Sequence, residues 1–148
     1  MQIWQSPVTV EQLNQWNKNT IHTSLGIVFT AIGDSFLEAK MPVDERTKQP
    51  LGLLHGGASV VLAESLGSVA SALVAGSDQK VCVGLEINAS HLKSVREGYV
   101  IGRVTPVRLG QSIHVWDIVI RTADEPHSNS STVCQSRLTV LVRDRKQS

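Results

Sequence analysis

The sequence predicts an α+β domain in which an antiparallel sheet of about six strands wraps around one long central helix. Residues 53–75 are apolar or small on nearly every side, the mark of a helix buried all round. Beyond Ala75 the hydrophobic period changes from helical to two, and four β-rich segments follow. No βαβ alternation occurs, which disfavours a doubly wound parallel sheet. A chain of 148 residues holds one sizeable core rather than two. It reads as a single domain over residues 1–142 with a basic tail, 143–148, that is solvated and frayed.

The elements follow in order. Thr9-Val10-Glu11-Gln12 forms a capping box, and Val10, Leu13 and Trp16 recur at helical spacing, so a short amphipathic helix runs to about Asn19. Two β-rich runs, 26–32 and 36–41, joined by Gly33-Asp34-Ser35, read as a hairpin. Residues 42–52 carry prolines and a charged middle and read as a loop. The long helix is built on Ala58, Val60, Val61, Leu62, Ala63, Leu66, Val69 and Leu73, with small residues between them that let other backbones pack close. Strands are expected over 81–87, 99–105, 113–121 and 132–142, with turns at Gly98, Gly110 and 123–131. In the third of these, His114, Trp116, Ile118 and Ile120 alternate with Ile113, Val115, Asp117, Val119 and Arg121. A sheet this small cannot cover the helix and also hide every edge, so a two-fold dimer is expected.

Composition narrows the function. Fourteen Lys and Arg against thirteen Asp and Glu give a net charge of +1, which argues against a nucleic-acid binder but leaves room for a local phosphate site. Cys82 and Cys134 lie in apolar segments without short spacing and read as reduced core thiols. The histidines show no paired-ligand spacing, so neither a metal nor a cofactor is expected. The N-terminal residues lack the basic and apolar regions of a secretory signal, which leaves the glycosylation patterns at Asn88 and Asn129 little meaning. Residues 53–74 are long enough for a membrane span, but His55, Glu64 and several serines suit lipid poorly. The expectation is a soluble, cytoplasmic protein.

Glu64 demands a chemical explanation. A carboxylate in the middle of the most apolar helix must pair, reach water or shift its pKa upward. Ser68 shares its face one turn on. The pair is either a hydrogen-bonded surface couple, for which the helix offers barely a solvent stripe, or a nucleophile or general base with a serine that positions water. The second feature is Gly56-Gly57 at the start of the helix, where unpaired N–H groups at the positive dipole end polarise a carbonyl or hold an anion. His55 by itself carries no catalytic signal. Gly56 and Glu64 are eight residues apart, about 12 Å along a helix, too far to touch one carbonyl. If both act, they come from two copies of the helix set antiparallel, giving two equivalent sites shared between subunits. Gly33-Asp34-Ser35-Phe36-Leu37 with Asp124-Glu125-Pro126-His127 imitates a GDSL-type serine esterase, but Ser35 falls in a hairpin turn and the parallel sheet of those enzymes is missing. Lys93, Arg96, Arg103 and Arg108 form either a solvated face or a site for the phosphates of a nucleotide-bearing substrate.

Five segments together resemble the hot-dog-fold thioesterases, specifically the 1,4-dihydroxy-2-naphthoyl-CoA hydrolases and their enterobactin-pathway proofreading relatives. They are Met41-Pro42-Val43-Asp44, Arg46-Thr47-Lys48-Gln49-Pro50, Leu53-Leu54-His55-Gly56-Gly57-Ala58-Ser59, Leu62-Ala63-Glu64-Ser65-Leu66-Gly67-Ser68 and Val83-Gly84-Leu85-Glu86-Ile87-Asn88-Ala89. The resemblance implies a hot-dog fold and acyl-CoA thioester hydrolysis without a cofactor. It implies Glu64 as the catalytic carboxylate, Gly56 N–H and the Gln49 amide polarising the thioester carbonyl, His55 beside the thioester and Ser68 placing water. It assigns Gly84, the segment His91, Leu92, Lys93 and Ser94, and the segment Arg108, Leu109, Gly110, Gln111, Ser112 and Ile113 to the CoA arm and the site walls. It also implies a homotetramer of two dimers. The implied reaction is hydrolysis of 1,4-dihydroxy-2-naphthoyl-CoA in menaquinone biosynthesis. The alternatives are a proofreading enzyme that clears aryl groups from a carrier protein and a non-catalytic acyl-CoA-binding module. Leu51, Ser90 and Lys93 depart from residues common in close relatives and bear on the acyl and carrier preference.

Overall fold

A computed structural model describes residues 1–124 and 131–146. The capping box forms as expected: Gln12 N–H donates to Thr9 Oγ1 at 3.2 Å and Thr9 N–H to Gln12 Oε1 at 2.8 Å, opening α1, Val10–Trp16. A second short helix, α2 (Ile21–Leu25), is capped by Thr20 and stopped by Gly26 in the left-handed region at φ 71°. The hairpin β1 (Val28–Ile32) and β2 (Leu37–Pro42) follows, closed by Gly33 N–H to the Phe36 carbonyl at 2.9 Å. Helix α3 spans Gly56–Ala75, and four strands complete the chain: β3 (Lys80–His91), β4 (Tyr99–Leu109), β5 (Ile113–Thr122) and β6 (Thr132–Asp144).

The sheet order is β1-β2-β4-β5-β6-β3, and every adjacent pair is antiparallel. The sheet wraps α3, whose Leu62, Ala63, Leu66 and Ala70 are fully buried with Leu37, Met41, Val104, Trp116, Ile118, Ile120 and Leu138 in one core. This is the α+β hot-dog architecture. The alternation read in the sequence of β5 holds residue by residue, with His114, Trp116, Ile118 and Ile120 inside.

Several boundaries differ from expectation: α1 stops at Trp16 rather than about Asn19, and β4 runs to Leu109 rather than residue 105. Helix α3 begins at Gly56 rather than residue 53, because the preceding backbone is spent elsewhere: Leu54 N–H donates to the Val95 carbonyl and His55 N–H to that of Thr47, both at 2.8 Å. Strand β3 is longer than the expected 81–87, and β6 takes in Arg143 and Asp144, the start of the segment expected to fray.

The helix is also not covered all round by its own chain. Its buried face meets the sheet, while Val60, Val61, Glu64, Ser68 and Val69 stay half-buried. Strand β3, at the sheet edge, leaves Val83 and Leu85 exposed beside that open stripe.

Candidate active site

The loop that enters α3 is folded by its own polar side chains. Thr47 Oγ1 donates to the Pro42 carbonyl at 2.6 Å, and Asp44 takes a two-pronged contact from Arg46, which holds its carboxyl below the ordinary aspartate range. This places Gln49 at a cleft of about 320 Å³, lined also by Gly56, Ser59, His91, Leu92, Lys93 and Ser94. Gln49 Oε1 accepts from Leu51 N–H. With its oxygen occupied, the amide presents its NH₂ end as a donor.

At the helix start, His55 is the N-cap, and its Nδ1 accepts from Gly57 N–H at 2.8 Å. An accepting Nδ1 leaves the ring proton on Nε2. Gly56 N–H finds no acceptor among the described residues and opens on the cleft at the positive end of α3. A Cβ here would sit 2.7 Å from His91 Nε2, so any side chain would push that imidazole aside. The cleft therefore carries two N–H donors on its lining, groups of the kind that stabilise a developing oxyanion.

Glu64 lies in a second cluster. Ser68 Oγ donates to its Oε1 at 3.1 Å. The carboxylate rests on the bare backbone of Gly84, in the volume a Cβ at that position would fill. The third predicted segment is the β4–β5 turn. Gly110 N–H donates to the Ile113 carbonyl and Val142 N–H to the Ser112 carbonyl, both at 2.8 Å, while Arg108, Leu109, Gln111 and Ser112 face solvent. Register ties this turn to the Glu64 end, because Leu109 pairs with His114, His114 with Val140, and Val140 with Gly84.

The predicted residues thus divide in two. Gln49, Gly56 and residues 91–94 gather at the N-terminus of α3 with His55 beside them, and Glu64, Ser68, Gly84 and the 108–113 turn gather toward the opposite end of β3. The cationic cluster read from the sequence divides the same way. Lys93 lines the cleft, Arg96 follows it, and Arg108 stands at the far end of β4. Arg103 leaves the group altogether, since it donates to Glu38 at 2.8 Å and stacks 4.0 Å over the Phe36 ring.

Ser59, Leu53, Leu54 and Val133 also line the cleft and were not anticipated. Ser59 was within reach of the sequence, one helical turn beyond Gly56. Val133 reaches the site through sheet pairing, with its carbonyl accepting from Leu92 N–H at 2.8 Å, and no local pattern announces that. Ser35 is exposed in the β1–β2 turn, and His127 of the esterase-like pair lies outside the described residues. Cys82 and Cys134 are free thiols, both pushed up by burial.

Comparison with known proteins agrees with this geometry. A family model described as the thioesterase superfamily matches residues 51–127. The 1,4-dihydroxy-2-naphthoyl-CoA hydrolase of Escherichia coli is 53% identical over 140 residues, covering 95% of this chain and 98% of the relative. A thioesterase of Pseudomonas aeruginosa, solved as a glutamine-to-alanine mutant, superposes with a TM-score of 0.91 at 48% identity, covering 97% of this chain and 99% of that one. A thioesterase of Haemophilus influenzae superposes with a TM-score of 0.89 at 47% identity, covering 96% and 95%. The hot-dog architecture and nearly full-length similarity lead to one conclusion: the chain belongs to the thioesterase superfamily and is a hot-dog-fold acyl-CoA thioesterase.

Proposed function

We propose that the chain hydrolyses aromatic acyl-CoA thioesters, foremost 1,4-dihydroxy-2-naphthoyl-CoA in cytoplasmic menaquinone biosynthesis, at two equivalent sites shared across a two-fold dimer. The observation that carries the shared site is the division of the catalytic groups between the two ends of one protomer. Gly56 and Glu64 have Val60 at their midpoint, and Gly84 and His91 have theirs between Ile87 and Asn88. A two-fold axis that passes beside α3 and β3, level with both midpoints, exchanges the two clusters. It sets the exposed edge of β3 against its copy, covers the open stripe of α3, and carries Arg108 of one copy toward Lys93 of the other. Two such dimers form the tetramer. The substrate assignment is supported by the 53% identity to the Escherichia coli hydrolase.

In this reading Gly56 N–H and the Gln49 amide take the thioester carbonyl oxygen as it becomes anionic. Glu64 of the second copy then acts on the carbonyl carbon from the other side. It either attacks directly, giving an acyl anhydride that water opens, or removes a proton from a water that Ser68 orients. In both cases the C–S bond breaks and the thiolate leaves protonated as CoA. After a single turnover in isotopically labelled water, label in Glu64 establishes the anhydride route, with water opening it at the Glu64 carbon.

Thiol release from 1,4-dihydroxy-2-naphthoyl-CoA, an aryl-loaded carrier protein and palmitoyl-CoA tests the substrate. A preference for the aryl-CoA that collapses by about 10²-fold or more in Glu64→Ala is expected. Preference for the carrier thioester assigns a proofreading role, and retention of activity in Glu64→Ala overturns the mechanism. Subunit mixing tests the shared site. Glu64→Ala and Gln49→Ala, each inactive, recover about a quarter of wild-type activity after exchange, since half the dimers are mixed and each holds one intact site. No recovery despite demonstrated exchange puts both groups in one chain.

A further inference from the structure

Helix α3 sends two residues to the cleft, Gly56 and, one turn on, Ser59. Ser59 is only 1% exposed, yet its Oγ has no hydrogen-bond partner among the described residues. A serine inside a helix often bonds the carbonyl four residues back. Here that carbonyl belongs to His55 and is taken by the backbone, with the Ala58 N–H at 3.0 Å and the Ser59 N–H at 3.3 Å. A buried hydroxyl left without a partner costs stability. Alanine would fill the same place without that cost and is the better helix former. Nothing in the packing of the free protein calls for this oxygen, the local conflict expected where the partner is a ligand.

The surroundings say which part of a ligand Ser59 meets. Residues three apart on a helix are neighbours, with about 5–6 Å between Cβ positions, and helical side chains lean toward the N-terminus. The Ser59 hydroxyl is therefore drawn back beside whatever the Gly56 N–H holds. Leu53, Leu54 and Val133 line the same cleft and give a planar ring apolar walls. With a thioester carbonyl on Gly56 N–H, the substrate oxygen that comes next is one carried on the ring carbon beside the acyl carbon.

We propose that Ser59 determines acyl specificity: its hydroxyl donates to a phenolic oxygen ortho to the thioester carbonyl. The phenol's own proton is then left for the carbonyl oxygen beside it, a third donor to the developing charge. This rests on the reading that the cleft receives an aryl thioester. Thiol release from benzoyl-CoA, its ortho-hydroxy and para-hydroxy derivatives and palmitoyl-CoA tests it. In Ser59→Ala, kcat/KM for the ortho-hydroxy ester relative to benzoyl-CoA falls about tenfold, the scale of a hydrogen bond lost from a buried site. The para-hydroxy ratio keeps its wild-type value. The ligand-free variant melts no lower than wild type, because no native bond is removed. An unchanged ortho ratio, equal losses on every ester, or a loss confined to the para-hydroxy ester overturns the assignment. A lower melting temperature shows that the hydroxyl serves the fold, and overturns it too. Wild-type preference for palmitoyl-CoA over benzoyl-CoA removes the aryl reading instead, and the role of Ser59 falls with it.

Discussion

Gly84 is bare because the Glu64 carboxylate occupies the space a side chain would need. The contact joins residues twenty positions apart and shows why a strand interior, where glycine ordinarily weakens pairing, holds one here. Gly84→Ala is expected to displace the carboxylate by the better part of an ångström and to lower kcat/KM by about 10²-fold. Melting within a few degrees of wild type would locate the loss in catalysis. Unchanged activity would mean that Glu64 has a second productive seat. Glu64 and Ser68 were legible in the sequence, because an ionisable group in an apolar helix has few explanations. The orientation of the Gln49 amide was not, since it depends on Leu51 N–H, which only the folded loop brings to Gln49 Oε1.

At the scale of elements, α2 escaped the sequence reading because its five residues show no helical period of their own; the cap and the left-handed Gly26 define it. It buries His22 against the Phe29 ring, centroids 5.8 Å apart, with no partner for Nδ1 among the described residues. Burial lowers the His22 pKa, as it does that of His114. The unfolded chain therefore takes up these protons more readily than the native one. Stability is whole above the unfolded histidine pKa of about 6.5 and is lost as pH falls through the depressed native values. Melting temperature should drop between pH 7 and pH 5, and His22→Leu should flatten part of that slope. A pH-independent melting temperature in wild type would contradict the burial. The long helix and the four strands after it were legible because a helical period over about twenty residues gives way to runs of seven to eleven residues with a period of two. The start of α3 was not, because Leu53 and Leu54 continue the apolar run while the Leu54 and His55 N–H groups are given to Val95 and Thr47. The end of β3 was lost for a related reason: Asn88 and Ser90 are weak strand formers whose place is decided by pairing with β6.

For the whole molecule, the need for a second copy could be argued before any coordinates, from eight residues of helix and the reach of a single carbonyl. What the sequence could not supply was the sharing of each end of β3 with one of the clusters, a matter of register between distant strands. If β3 pairs with its copy, lysines on the exposed positions block the contact. Val83→Lys with Leu85→Lys is expected to sediment as a monomer and to lose thioester hydrolysis together with it. A dimer that survives both lysines would move the axis to another face.

The separation of Gly56 from Glu64 also sets a kinetic order. Under the proposed sharing, with half a site on each chain, a solitary protomer would be an incomplete catalyst. In very dilute solution the rate of thioester cleavage will rise with the square of protein concentration and become linear once association is saturated. Under that sharing, newly made chains would be silent until they meet, and thioesters would be exposed to hydrolysis only above a threshold abundance of the protein.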